Sequence, residues 1–143
     1  FSHNATGMIL RAFATHPEYR HCEAARTAAG LLKSRFFQPD AYTSYQDAGY
    51  WLRFEYPFWW NNLVAVLDSL SRIGLPKSDE QIRKAMDWLV VHQQDNGLWK
   101  ASYAVPDEVE RDTQKVRTMK LWISLAICRV FRRLYTQARK DGG

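Results

Sequence analysis

At 143 residues the chain is one domain's worth, long enough to bury roughly two-thirds of its unfolded surface around a single core. Six Trp, seven Tyr and seven Phe suit a bulky core or a cavity wall, and with only seven Gly and five Pro the composition excludes a disordered chain. The formal charge of +5 could attract an acidic partner, but much of the excess lies near the C-terminus as Arg129, Arg132, Arg133, Arg139 and Lys140, where cations complement a helix dipole; elsewhere bases alternate with acids, so no nucleic-acid partner is expected.

The periodicity predicts five helices and no strand. The first runs roughly from Asn4 to Ala14, with Met8, Ile9, Ala12 and Phe13 on its apolar side, and stops before Pro17 because the residue ahead of a proline avoids the helical region. Pro17 opens the second, which continues to about Phe36 and places Ala24, Ala25, Ala28, Leu31, Leu32 and Arg35 on one buried face. Residues 37 to 56 carry no clean period and read as a long loop packed by its own aromatics, a length at which loops often carry function. Pro57 has no amide hydrogen to satisfy and suits a first helical turn, so the third helix is expected from Pro57 to about Ile73, ended by Gly74. Ser78-Asp79-Glu80-Gln81 reads as a capping box opening the fourth, with Ile82, Ala85, Met86, Leu89 and Val90 on its apolar face. Asp95-Asn96-Gly97 then forces a turn. The fifth helix, about Thr113 to Gln137, is apolar almost all round in its middle (Leu121, Trp122, Ile123, Leu125, Ala126, Ile127, Val130, Phe131) and is expected to have neighbours on more than one side.

The longest apolar run, Leu121 to Ile127, falls far short of the ~20 residues a membrane span needs. Cys22 and Cys128 lie outside any paired spacing and read as reduced core or near-core thiols of a cytoplasmic protein. The chain starts at Phe1, already close to helical sequence, which reads as the C-terminal part of a longer chain. Helices two and four are polar on the outside while three and five are apolar nearly all round, an alternation of outer and inner helices that points to a two-layered ring. An internal repeat supports it: Gly7-Met8-Ile9-Leu10 to Leu31-Leu32 and Asn62-Leu63-Val64-Ala65 to Trp88-Leu89 follow one order, offset by about 55 residues.

Within that pattern, Lys84-Ala85-Met86-Asp87-Trp88-Leu89-Val90-Val91, then Gln94 and Gly97-Leu98-Trp99, resembles the QW repeat of the terpenoid (squalene) cyclase and protein prenyltransferase superfamily. The spacer before Gln94 is shorter than in that repeat, and the earlier unit keeps only Arg26-Thr27-Ala28-Ala29-Gly30-Leu31-Leu32 of it. Tyr56-Pro57-Phe58-Trp59-Trp60-Asn61-Asn62-Leu63 with Asp68 is similar to small prokaryotic prenyltransferase-like proteins. The resemblance implies an all-α fold of the α/α-toroid type, present here as one partial ring over 1–143. It implies that the Gln caps the next helix and that Trp99 bolts the two layers together. A physical reason agrees: a buried indole covers ~200 Å² and its N–H needs an acceptor, which helix-end carbonyls supply.

The superfamily's chemistry rests on an Asp-x-Asp-Asp acid motif in the cyclases and an Asp-x-Cys pair with a distant His around zinc in the prenyltransferases; the chain holds neither. His21-Cys22-Glu23 contains ligand types, but adjacent helical residues point about 100° apart and cannot converge, so no metal and no cofactor is expected. His16 and His92 read as surface or capping residues. Asp68 is the weak candidate for a catalytic acid, because a carboxylate on an apolar inner helix needs a partner or a raised pKa; pairing with an arginine is the plainer expectation. The candidate ligand site is an aromatic cleft of Trp51, Tyr56, Phe58, Trp59 and Trp60 with Asn61 and Asn62, at the mouth where the resemblance places inner-helix N-termini. The expected function is ligand binding or scaffolding, with an apolar small molecule as ligand and a second copy or the rest of a longer chain as partner. The alternative is an enzyme on an isoprenoid or other apolar substrate, with acids supplied from elsewhere.

Overall fold

The computed structural model describes residues 1–41, 47–58, 61–102 and 106–140, with side chains throughout except at 106, 107 and 137–140. Among the described residues the fold is all-helical: α1 (His3–Thr15), α2 (Glu23–Lys33), α3 (Leu63–Arg72), α4 (Glu80–Val91), α5 (Pro106–Glu110) and α6 (Gln114–Lys140), with 3-10 turns at Tyr19–His21 and Ala48–Leu52. Helix α3 is the centre. Eight of its ten residues are buried, because α1 packs along one flank and α6 along the other. Helix α2 lies against α1, and α4 sends Ile82, Ala85, Met86 and Leu89 into the same core.

Side-chain caps set where the helices begin, and they move three of the expected starts. Pro17 does not open the second helix: Cys22 is the N-cap of α2, its Sγ accepting from the Ala25 amide at 3.4 Å, and the three residues before it form a separate 3-10 turn. Pro57 does not open the third either. Asn62 does, its Oδ1 accepting from Ala65 N at 2.9 Å while its Nδ2 holds the Arg53 carbonyl at 3.0 Å; asparagine is a far stronger start signal than a proline further upstream. At α4 the cap is Asp79 rather than Ser78, with its carboxylate accepting from Gln81 and Ile82 and pairing with Lys33 of α2. Helix α5, five residues long, is too short for a periodic pattern to reveal.

Two apolar faces are rotated from expectation. On α1 the buried stripe is His3, Gly7, Leu10 and Ala14, whereas Met8, Ile9 and Ala12 are exposed. The cause is a close approach at Gly7: a Cβ there would lie 2.0 Å from Asn61 Oδ1, so the glycine side must face α3. On α2, Ala25, Ala28, Ala29, Leu32 and the following Phe36 are buried, while Ala24, Leu31 and Arg35 face outward. Helix α6 buries one stripe, Val116, Ile123, Ile127, Val130 and Leu134, and leaves Leu121, Trp122 and Leu125 exposed, so among the described residues the expected cover on several sides is not found. Cys128 is likewise exposed rather than near the core.

The turn after α4 is built as its residues require. Gly97 adopts φ +80°, and its amide donates to the Gln94 carbonyl at 2.8 Å; the Gln94 amide donates to Leu98 O at 2.9 Å, and the Gln93 side chain to Gly97 O at 2.8 Å. Trp99 then enters the core at 5% exposure, its Nε1 donating to the carbonyl of Leu89 at 2.8 Å and its backbone amide to Ser124 Oγ of α6 at 3.0 Å. Gln94 caps no helix among the described residues: its Oε1 is buried without a hydrogen-bond partner.

Candidate functional site

The seven residues expected to line a ligand cleft separate into distinct environments. Trp51 is a core residue, packed edge-on against Phe36 at 5.3 Å between ring centres and beside His3, with its Nε1 donating to Gln38 O at 2.9 Å. Asn61 is buried and its Nδ2 donates to the His3 carbonyl at 2.7 Å, and Asn62 is the α3 cap, so both amides are used inside the fold. Trp59 and Trp60 lie outside the described residues. Tyr56 and Phe58 remain at a surface, and there the structure brings α6 to them.

Tyr56 stacks on Trp122 with ring centres 5.2 Å apart and planes at 9°, and Phe58 meets Tyr56 edge-on at 5.4 Å. With Pro57, Met119 and Thr118 the Tyr56 and Trp122 rings border a groove of about 500 Å³, rimmed by Gln114 and Lys115. Tyr56 is 36% and Trp122 44% exposed, so large apolar rings are presented to solvent. Arg11 of α1 reaches Phe58 from below, donating to its carbonyl at 2.5 Å, and so ties the segment to the core. Residue spacing singles out Tyr56 and Phe58; it places Trp122, 66 positions further along than Tyr56, on the apolar flank of the last inner helix and not in this cleft.

A second concavity, of about 590 Å³, lies at the turn itself, between Phe54, the end of α4 and Trp99. Trp88 forms its wall, with His92 stacked on it at 3.7 Å and Phe54 edge-on at 5.9 Å. Nothing in the residue pattern marked this as a site. The available signal was the pair Gln93-Gln94 placed between two tryptophans, amides in a setting otherwise suited to packing.

Asp68 is neither alone nor poised as a free acid. Its carboxylate accepts from Arg72 Nε one turn on, at 2.8 Å, and pairs with the Arg133 guanidinium of α6, whose Nε donates to Ser71 Oγ at 2.8 Å. Arg11 belongs to the same field: burial lowers its pKa and the charge of Asp68 opposes that. The carboxylate therefore joins α3 to α6, the role its pairing with arginine predicts. Glu55, in the middle of the aromatic segment, was not singled out by spacing. Burial holds its carboxyl above the usual range, and among the described residues its Oε1 has no hydrogen-bond partner.

Among the described residues, no three His, Cys, Asp or Glu side chains come together as a metal site, and no helix is long and apolar enough to cross a membrane. His21, Cys22 and Glu23 span the end of a 3-10 turn, a cap and a first helical residue, rather than one continuous helix. Comparison with protein-family models, with curated proteins and with solved structures finds no match for this chain.

Proposed function

We propose that the chain is a binding or scaffold domain of the α/α-toroid type, taking an apolar, isoprenoid-like small molecule on the aromatic groove formed by Tyr56, Pro57, Met119 and Trp122. The observation that carries this reading is the exposed Tyr56–Trp122 stack, because two large rings held face to face at a surface form a wall for a ligand of the same character. The toroid assignment draws support from the order α2, α1, α3, α6 in which neighbours pack and from the turn that sends Trp99 between α4 and α6. Asp68, spent on two arginines, favours binding over acid chemistry at this end of α3.

Titration with farnesol, followed by indole emission, tests the groove. The protein should show a saturable spectral change that Trp122→Ala removes and Tyr56→Ala weakens, while both variants keep the parent's thermal midpoint because both side chains are exposed. A change that persists in Trp122→Ala, or no saturable change in the parent, defeats the reading.

A second reading, association with another copy, is favoured by a separate observation. Leu121 and Leu125 extend the Trp122 surface along α6, at one edge of the row of helices, and Met8 and Ile9 stand exposed on α1, so two helices present apolar side chains to solvent.

A further inference from the structure

The cleft at the turn after α4 shares no lining residue with the Tyr56–Trp122 groove, and its chemistry differs. Its apolar surfaces are flat: Phe54 and Trp99 are buried rings at its base, and the indole of Trp88 stands beside them under the imidazole of His92. Because the indole N–H of Trp99 is already given to Leu89 O, the side chain of Trp99 has no hydrogen-bonding group left to offer the cleft.

Surrounding bonds fix the roles of three side chains in this cleft: His92 and Gln93 are left with acceptors, while Asn96, whose Oδ1 accepts from the Leu98 amide at 3.0 Å, is left with its Nδ2 donor. His92 Nδ1 lies 2.8 Å from the Trp88 carbonyl, which can only accept, so the proton is on Nδ1 and in the neutral ring Nε2 offers a lone pair. Gln93 donates through Nε2 to Gly97 O, which leaves its carboxamide oxygen as the outward group. Gln94 Oε1 is buried, and among the described residues no donor reaches it. An unpaired buried acceptor is costly to keep, and an apolar residue of similar shape would avoid that cost. Lys100 and Asp95 both stand exposed on the rim, one cation against one anion, so the rim by itself selects neither charge.

We infer that this cleft is a binding site for a flat ring bearing N–H donors, an aryl amidine or aryl amine being the simplest case, with the ring against Trp88 and Phe54 and a donor on Gln94 Oε1. This goes beyond the apolar-ligand role proposed for the other groove and does not rest on it. A volume near 590 Å³ accommodates such a ring with a substituent.

The probe is benzamidine, with benzoate and toluene as partners of matching size that reverse or remove the donor. Indole N–H resonances of ¹⁵N-labelled protein report on Trp88 and Trp99. Benzamidine should move them saturably, and benzoate and toluene should bind at least roughly tenfold more weakly. Gln94→Leu should weaken benzamidine by a similar factor and melt no lower than the parent, because it removes an unpaired buried acceptor. Gln94→Glu, which places a charged acceptor at the same position, should tighten it and serves if the leucine variant misfolds. Equal binding of benzoate or toluene, unchanged affinity in Gln94→Leu, or no saturable shift with benzamidine overturns the inference.

Discussion

Helices α3 and α6 read alike as sequence and are used differently. Both are apolar nearly all round. Yet α3 is enclosed, with Leu63, Val64, Leu67 and Leu70 each at 1% exposure or less, whereas α6 covers one stripe and presents Leu121 at 57% and Leu125 at 40%. An apolar residue records that burial is favourable at its position without recording what supplies the cover. For α3 the cover comes from α1 and α6 of the same chain; for the far side of α6 the described residues supply only the Tyr56 ring over Trp122.

The largest effect is expected where α6 is best secured. Trp99 fills the space between α4 and α6 and is bonded to both, so Trp99→Ala should cost about 3 to 5 kcal/mol in denaturant unfolding through lost burial and a residual cavity. A loss under about 1 kcal/mol would show that the indole is no bolt and that the two helices hold without it. Next, the same truncation on the two helices measures the contrast directly. Leu67→Ala in α3 should cost about 2 to 5 kcal/mol, and Leu125→Ala in α6 less than about 0.5 at concentrations where the protein is monomeric. Similar losses at both positions would mean that the outer face of α6 is covered.

How much of this was legible follows the same division. Helix α4 and its turn were readable to within a residue because the local signals nearly coincide: a cap one position on from Ser78, a regular stripe of Ile82, Ala85, Met86 and Leu89, and Asn96-Gly97 where a left-handed residue is required; only Val90, expected on the same face, turns outward. The acceptor for Trp99, a carbonyl at a helix end, was readable for a physical reason that needs no partner in sequence. The stripes of α1 and α2 were not, because alanine, methionine and leucine fit either side of a short helix and the deciding contact, Gly7 against Asn61, is 54 residues away. The site was half-legible. Tyr56 and Phe58 stood out in an aromatic run, but Trp51, Asn61 and Asn62 in the same run are core and cap, and their partners Gln38, His3 and Arg53 are set by the tertiary fold. Aromatic density locates a packed region; which of its rings face water is decided by chain reversal.

The contacts that bind α3 and α4 to their neighbours give smaller, charge-dependent effects. Asp68→Asn leaves Arg133 and Arg72 without their shared carboxylate and should cost about 1 to 2 kcal/mol, reduced from a fully buried pair by partial solvent access. Stability should fall with it; a variant as stable as the parent would release Asp68 from its structural role. Asp79 carries a pH signature. Burial pushes its carboxyl up, but the Lys33 hydrogen bond, the Ile82 and Gln81 amides and the Lys33 charge outweigh that and hold it below the usual range. A depressed folded-state pKa means a contribution fully present above the unfolded value near 3.9 and lost as pH falls through the folded one. Asp79→Ala should therefore cost about 1 kcal/mol at neutral pH, and the gap to the parent should close on acidification below about pH 4. A gap independent of pH would assign the loss to helix propensity alone.

The smallest effect on folding is expected on the outer face of α6, and there the consequence is for association. Leu121, Trp122 and Leu125 are spaced at three and four residues, so they form one continuous strip, and Arg129 and Arg132 lie exposed further along the helix. Single exposed leucines are ordinary on monomers, but a strip continuous with Tyr56 and Pro57 approaches the few hundred square ångströms at which apolar patches mark contacts. Replacing Leu121 and Leu125 together by Gln should change unfolding free energy by no more than about 0.5 kcal/mol, since neither side chain contributes to the core. The parent should self-associate in sedimentation at tens of micromolar, through a two-fold contact that pairs this strip with a second copy, and the same variant should not. If parent and variant both sediment as monomers at that concentration, the apolar side of α6 is stable in water and the difference between the two central helices ends at the boundary of a single chain.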